Sequence, residues 1–248
     1  MNCLRPVKYL LALLPLLIWG CAAPHDNPLD PKSDHYVAPQ PEPEPVVFGT
    51  QIYSVHLARF GFSDSYSVIA HLSETASTPE VDSAWVTYDG RDRVRMTAQP
   101  PTYDLWATQF AASYFHDSLD AVIGRSFIFE VRDAADSTYV LDPVYLYRFI
   151  EEVPLVIEPD SQDVVTPYVV LKWQRAAAGY PYQCRAAITS NLTGIELWAS
   201  DLMSSTADSA VVTDSLANGD YFWTVTIIDD FANTSRSKEG FFTVTANP

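Results

Sequence analysis

The chain has 248 residues, with 31 acidic against 15 basic side chains and a formal charge of −16. Such a balance is repelled by phosphates and anionic head groups, which argues against nucleic-acid binding and against a membrane contact led by basic residues. Its five histidines show neither a His-x-x-x-His spacing nor a cysteine partnership, so no zinc signature exists.

Arg5 and Lys8 precede an apolar run over residues 9–19. About eleven residues is within the roughly 7–15 of a cleaved export signal and short of the about 20 that a spanning helix needs. The run closes on Ile18-Trp19-Gly20-Cys21, which resembles the lipobox of a bacterial lipoprotein precursor. That resemblance implies cleavage before Cys21, diacylglycerol on its thiol and an acylated new amino terminus. The expected location is the cell envelope, lipid-anchored to a membrane. Ala22 after the cysteine resembles an outer-membrane address, on the periplasmic or surface-exposed side. Loss of residues 1–20 removes Arg5 and Lys8 and no acid, taking the formal charge from −16 to −18. Acyl chains at about 0.8 kcal/mol per buried methylene would then do the anchoring. Cys3 leaves with the signal and lipid consumes Cys21, leaving Cys184 as a buried small hydrophobe.

Prolines recur at 24, 28, 31, 39, 41, 43 and 45 with almost no apolar periodicity between them. The alternating Pro-Glu stretch over 40–45 predicts an extended spacer of about 3.1 Å per residue. Asp26-Asn27-Pro28-Leu29-Asp30-Pro31 resembles a short signature that follows the lipidated cysteine in many envelope lipoproteins. Its aspartates lack the glycine turn and distal glutamate of a calcium loop.

Beyond Pro45 the chain becomes short runs of Val, Ile, Tyr, Phe and Thr with turn residues every 8–12 positions, which predicts an all-β fold of two consecutive β-sandwiches. The expected division is a signal peptide over 1–20, a linker over 21–45, an immunoglobulin-like sandwich over 46–151 and a second sandwich over 152–248. Strands are expected at 47–60, 67–73, 81–88, 93–98, 104–110, 126–133 and 143–150. Val68, Ala70 and Leu72 alternate inward, as do Phe127, Phe129 and Val131. Over 81–88 the register is open: either Trp85 faces the core or Val86 and Tyr88 do.

In the second half, Val169, Leu171 and Trp173 alternate, then Tyr182, Cys184, Ala186 and Ile188, then Trp223, Val225 and Ile227. With Leu216-Ala217-Asn218-Gly219-Asp220-Tyr221 before the last run, residues 154–244 resemble a fibronectin type III module. The resemblance implies a tyrosine corner at Tyr221 and a turn over 229–235 between the last two strands. Phe127-Phe129-Val131-Asp133 also mirrors Trp223-Val225-Ile227-Asp229 at an offset of 96, a weak internal repeat of about one sandwich length. Two such modules on a brief linker would form a rod or elbow.

No nucleophile elbow, phosphate loop or metal constellation emerges, so no catalytic residue, metal ligand or cofactor is assigned. His56 and His71 on neighbouring strands could meet, although surface positions suit them better. Asp133, Asp136, Asp229 and Asp230 could bind calcium, but turn capping explains them more simply. Asp89-Gly90-Arg91-Asp92 reads as a hairpin turn. Phe222, Ile228 and Phe241 have outward parity and form the candidate interaction face. The reading is a non-enzymatic, lipid-anchored envelope protein that presents its two sandwiches to another envelope protein or for structural work. The alternative is a polysaccharide held by exposed aromatics, for which Trp85, Trp106 and Trp198 are unassigned; a hydrolase ranks third.

Overall fold

Side chains that alternate between apolar and polar form strands because only one face of a sheet can meet a core. In a computed structural model, described for Ser33, Tyr36 and residues 47–245 except 76–77, 92, 116–118 and 162, the alternating runs are strands. Ile18, Trp19, Gly20 and Cys21 lie outside the described residues. The chain divides into two compact units, Met1–Pro45 and Val46–Pro248. In the first, the Tyr36 N–H donates to the Ser33 carbonyl at 3.0 Å.

The second unit is all β. Its strands are β1 (Gly49–Leu57), β2 (Ser65–Ser73), β3 (Val81–Tyr88), β4 (Arg93–Arg95), β5 (Thr97–Gln99), β6 (Leu105–Ala111), β7 (Ser126–Asp133), β8 (Thr138–Val140) and β9 (Val144–Tyr145). They continue as β10 (Leu155–Glu158), β11 (Asp163–Val165), β12 (Val170–Gln174), β13 (Tyr182–Ser190), β14 (Glu196–Ala199), β15 (Met203–Ser204), β16 (Ser209–Val211), β17 (Gly219–Asp229), β18 (Thr234–Arg236) and β19 (Gly240–Val244). Two hydrophobic cores result. One gathers Val68, Leu72, Val86, Phe127 and Phe129 between β1-β2-β6-β5 and β4-β3-β7-β8. The other gathers Leu171, Trp173, Ile188, Trp223 and Phe242 between β10-β12-β16 and the sheet of β13, β17 and β19. The connecting residues serve both, since Leu146 and Phe149 pack on the first core and Ile150 on the second.

The open register of β3 resolves with Val86 and Tyr88 inward. Tyr88 meets Phe115 at 4.9 Å and Phe127 at 5.0 Å, contacts that Trp85 on the other face does not make. Trp85 is half-buried outside, under the Arg93 guanidinium at 4.5 Å. In the second sandwich the Tyr221 hydroxyl donates to the Ala217 carbonyl at 2.8 Å, which makes the tyrosine corner. Trp223 Nε1–H donates to the Pro159 carbonyl at 2.7 Å, tying β17 to the segment after β10. Gly240 makes this approach possible. A Cβ there would lie 2.5 Å from Val156 Cγ1 and 2.6 Å from Trp223 Nε1.

Gly240→Ala should therefore cost about 1–3 kcal/mol in urea unfolding, as overpacking of a filled site does. Tyr221→Phe should cost about 1 kcal/mol. Unchanged midpoints would show that neither contact bears on stability.

Candidate functional site

The last strand of the second sandwich is broken. β17 pairs with β18 through Thr226–Ile228 and with β19 through Gly219–Trp223, and between them Val225 bonds instead to Ser237. The break frees the other edge of β18, which pairs in parallel with β1: Val55 with Thr234, His56 with Ser235 and Leu57 with Arg236. One sheet thus runs through both sandwiches. Thr234 and Ser235 are strand residues, which corrects the expected turn over 229–235. The turn is tighter because Asp229 closes it.

Asp229 Oδ1 accepts from the N–H groups of Phe231 and Asn233, both at 2.9 Å, while Ala232 takes φ 64°. The same device appears 96 residues earlier, so the sequence repeat has a geometric basis. Asp133 Oδ1 accepts from Ala135 and Ser137 at 2.9 and 2.8 Å, with Asp136 at φ 69°. The second carboxylate oxygens differ. Asp133 Oδ2 accepts from the Tyr139 hydroxyl at 3.1 Å, within its own sandwich. Asp229 Oδ2 accepts from Asn233 Nδ2 at 3.0 Å and faces Arg148 Nε of the connecting segment at 3.3 Å.

Asn233 carries this turn across the joint. Its side-chain oxygen accepts from the backbone N–H of Ser54 at 2.8 Å and from its hydroxyl at 3.0 Å, and the residue is fully buried. Next along, Ser235 Oγ and His56 Nδ1 are 3.0 Å apart, and His56 Nε2 lies 3.2 Å from Asp64 Oδ2. With Nε2–H turned to the carboxylate, Nδ1 accepts from the Ser235 hydroxyl. Tyr66 stacks flat on the imidazole at 4.1 Å. This order of groups looks like a nucleophile relay, yet Ser235 is 0% exposed, and no substrate could reach its hydroxyl. The chain of groups is a bridge between modules.

Arg148 extends the bridge. Its guanidinium lies 4.7 Å from the Tyr180 ring and 4.9 Å from that of Phe231, an arrangement that holds a cation by the ring faces. Burial and the acceptor Glu152 push the Tyr180 phenol up, so it stays a donor.

His56 and His71 do not meet. His56 is buried in the joint, contrary to a surface position, and His71 bonds the Tyr53 hydroxyl at 3.2 Å. The Cys184 thiol is buried against the Ser204 carbonyl, and desolvation pushes its pKa up. Trp106 donates to Glu74 and Trp198 to Thr213, and among the described residues no tryptophan is exposed. The expected interaction face divides. Phe222 and Phe241 are cross-strand partners with ring centres 6.1 Å apart, whereas Ile228 sits six residues along β17, about 20 Å away. All three are half-buried. Two exposed features escaped the sequence reading: Phe60 and Phe62 in the β1–β2 turn, and an apolar outer face on β10-β12-β16 carrying Leu155, Ile157, Val170 and Val211. Outward parity of Val170 in β12 was the available signal for the second.

No protein-family model matches the chain, and no curated protein matches it in sequence. Solved structures do. The fibronectin(III)-like modules of Clostridium thermocellum CbhA align at 8% identity and TM-score 0.33, over 81% of this chain and 94% of that one. The chicken CNTN1 FN1–FN3 domains align at 10% and 0.35, over 79% and 69%. Dimeric latent PorU from Porphyromonas gingivalis aligns at 12% and 0.32, over 80% of this chain and 20% of its own length. At such values the likeness says nothing about activity.

Asn233→Ala should destabilise by about 2–3 kcal/mol, since it strands the Ser54 N–H in a buried place and takes one donor from the Asp229 carboxylate. A Ser54→Ala/Asn233→Ala cycle should show coupling above about 0.5 kcal/mol; additive losses would mean that the joint does not form. The Ser137 N–H, with the Tyr139 hydroxyl and the Ala135 N–H, holds the Asp133 carboxyl below its ordinary range. A carboxyl depressed on folding stabilises above its unfolded pKa of about 3.9, and that contribution is lost as pH falls through the folded value. Stability of Asp133→Asn, measured by urea midpoints, should fall less steeply than wild type below about pH 4. Parallel pH curves would remove Asp133 from the acid response.

Proposed function

We propose that this protein is a non-enzymatic lipoprotein of the cell envelope, anchored through Cys21, whose two sandwiches act as one rigid body that binds another envelope protein. The observation that carries the reading is the β1–β18 pairing with its buried Asn233, His56 and Asp229 bridge. Modules fixed in register offer a partner surfaces from both at once, without the cost of ordering a flexible joint. Phe241 of one sandwich already meets Phe60 of the other at 5.8 Å, so an apolar surface spans the two. The lipobox supports the anchor, and the strongly acidic body supports a tether made by lipid instead of basic residues.

The test is capture of a partner from native membranes by the full-length protein, with intact-mass analysis of its amino terminus. A fatty-acylated Cys21 and a protein partner that is lost with Phe222→Ser/Phe241→Ser are expected. An unmodified terminus elsewhere would overturn the anchor. Capture that survives the double substitution would move the binding surface, and retention of polysaccharide in place of protein would favour the glycan reading.

A further inference from the structure

The β1–β2 turn is the most conspicuous exposed apolar feature that the joint does not use. Phe60 is 65% exposed and Phe62 75%, on either side of Gly61, which takes φ 74° and has open space around the position of a Cβ. Single exposed hydrophobes are ordinary, but two phenylalanines in one turn, each more than half exposed, are not. The tip is also held in place. The Phe60 N–H donates to Glu239 Oε2 at 2.7 Å, and the Phe60 ring packs edge-on against Phe241, which in turn meets Phe222.

Charges of both signs lie around it, in contrast to the acidic excess of the whole chain. The carboxylates there are engaged, Asp64 with His56, Glu239 with the Phe60 N–H and Arg236, and Asp160 with the N–H of Phe241. Arg59 and Lys238 are exposed and have no carboxylate partner among the described residues. Two phenylalanines flanked by unpaired cations match the physical needs of a lipid–water interface, where rings enter the acyl boundary and cations meet head groups. A convex tip suits a medium that deforms around it, whereas a protein partner would have to supply a pocket for each ring.

We infer that the Arg59–Phe60–Gly61–Phe62 tip, with Lys238 beside it, is a second membrane contact that seats the body on an anionic lipid surface. The inference rests on the lipid-anchored reading. The 25 residues from 21 to 45 span at most roughly 90 Å, so an anchored chain keeps its bilayer within reach and the tip needs only modest affinity. Because the body as a whole is repelled by anionic lipid, the rings lead this contact and the two cations offset the local repulsion.

The experiment uses the full-length lipidated protein in phosphatidylethanolamine–phosphatidylglycerol vesicles. A fluorescent probe is placed on the exposed Ser63 as Ser63→Cys; Cys184 is 1% exposed and escapes labelling. Nitroxide lipids should quench the probe, and Phe60→Ser/Phe62→Ser should lower the quenched population on the order of tenfold. Arg59→Glu/Lys238→Glu should lower it on these vesicles and leave it unchanged on uncharged phosphatidylcholine. An unquenched probe on protein whose Cys21 is shown by intact mass to be acylated overturns the inference, as does quenching indifferent to the phenylalanines. If intact mass shows no acyl chain, the anchor reading fails by itself. The tip is then tested by adding the vesicles to soluble Cys3→Ser/Cys21→Ser protein labelled at Ser63→Cys, where quenching supports the contact and its absence overturns it. A probe shielded only after envelope proteins are added also overturns the lipid contact, in favour of a protein one.

Discussion

Everything distinctive in this molecule depends on three residue pairs between β1 and β18. Strand edges present unpaired N–H and C=O groups, and most sandwiches leave such edges to solvent or blunt them. Here the edges of two modules satisfy each other. The pairing is short, so backbone bonds alone would hold it weakly. Its strength comes from polar side chains beneath it, Ser54 and His56 from one strand, Ser235 from the other and Asn233 from the turn that leads into it, each buried and each bonded. Buried polar groups cost most when one partner is missing, and a joint made of them tolerates little sliding or opening.

The repeat shows how such a joint can be built from an ordinary part. Both sandwiches end a long strand on an aspartate that accepts from residues two and four further on. In the first, the spare carboxylate oxygen is satisfied locally by Tyr139. In the second, the residue four further on is asparagine, whose side chain both donates back to Asp229 and reaches Ser54 across the joint. A turn that only closes a hairpin in one module also holds the two modules together in the other. Asn233-Thr234-Ser235 has the form of a glycosylation acceptor, yet Asn233 is fully buried and its amide is committed to the joint.

For function, the joint explains where the chemistry-bearing side chains went. The Ser235 hydroxyl and the His56 imidazole are sealed between modules with Asp64 at the rim, and the surface left over is acidic with local apolar features. Phe222, Phe241 and Phe60 form a strip that exists only because the sandwiches are joined edge to edge.

The sequence by itself determined the all-β class, the inward faces of β2, β7, β12, β13 and β17 and the tyrosine corner, because these follow from alternation and from turn residues close in the chain. It also located the two repeated aspartate turns. Tertiary structure alone decided the register of β3, where Val86 and Tyr88 win because Tyr88 finds Phe115 and Phe127. It alone made a strand of Thr234-Ser235-Arg236, which has no apolar period and reads as turn until an edge 179 residues away supplies its hydrogen bonds. It buried His56 for the same reason. Periodicity reports which side of a strand meets a core, and it is silent where polar residues are buried against polar residues from a distant part of the chain.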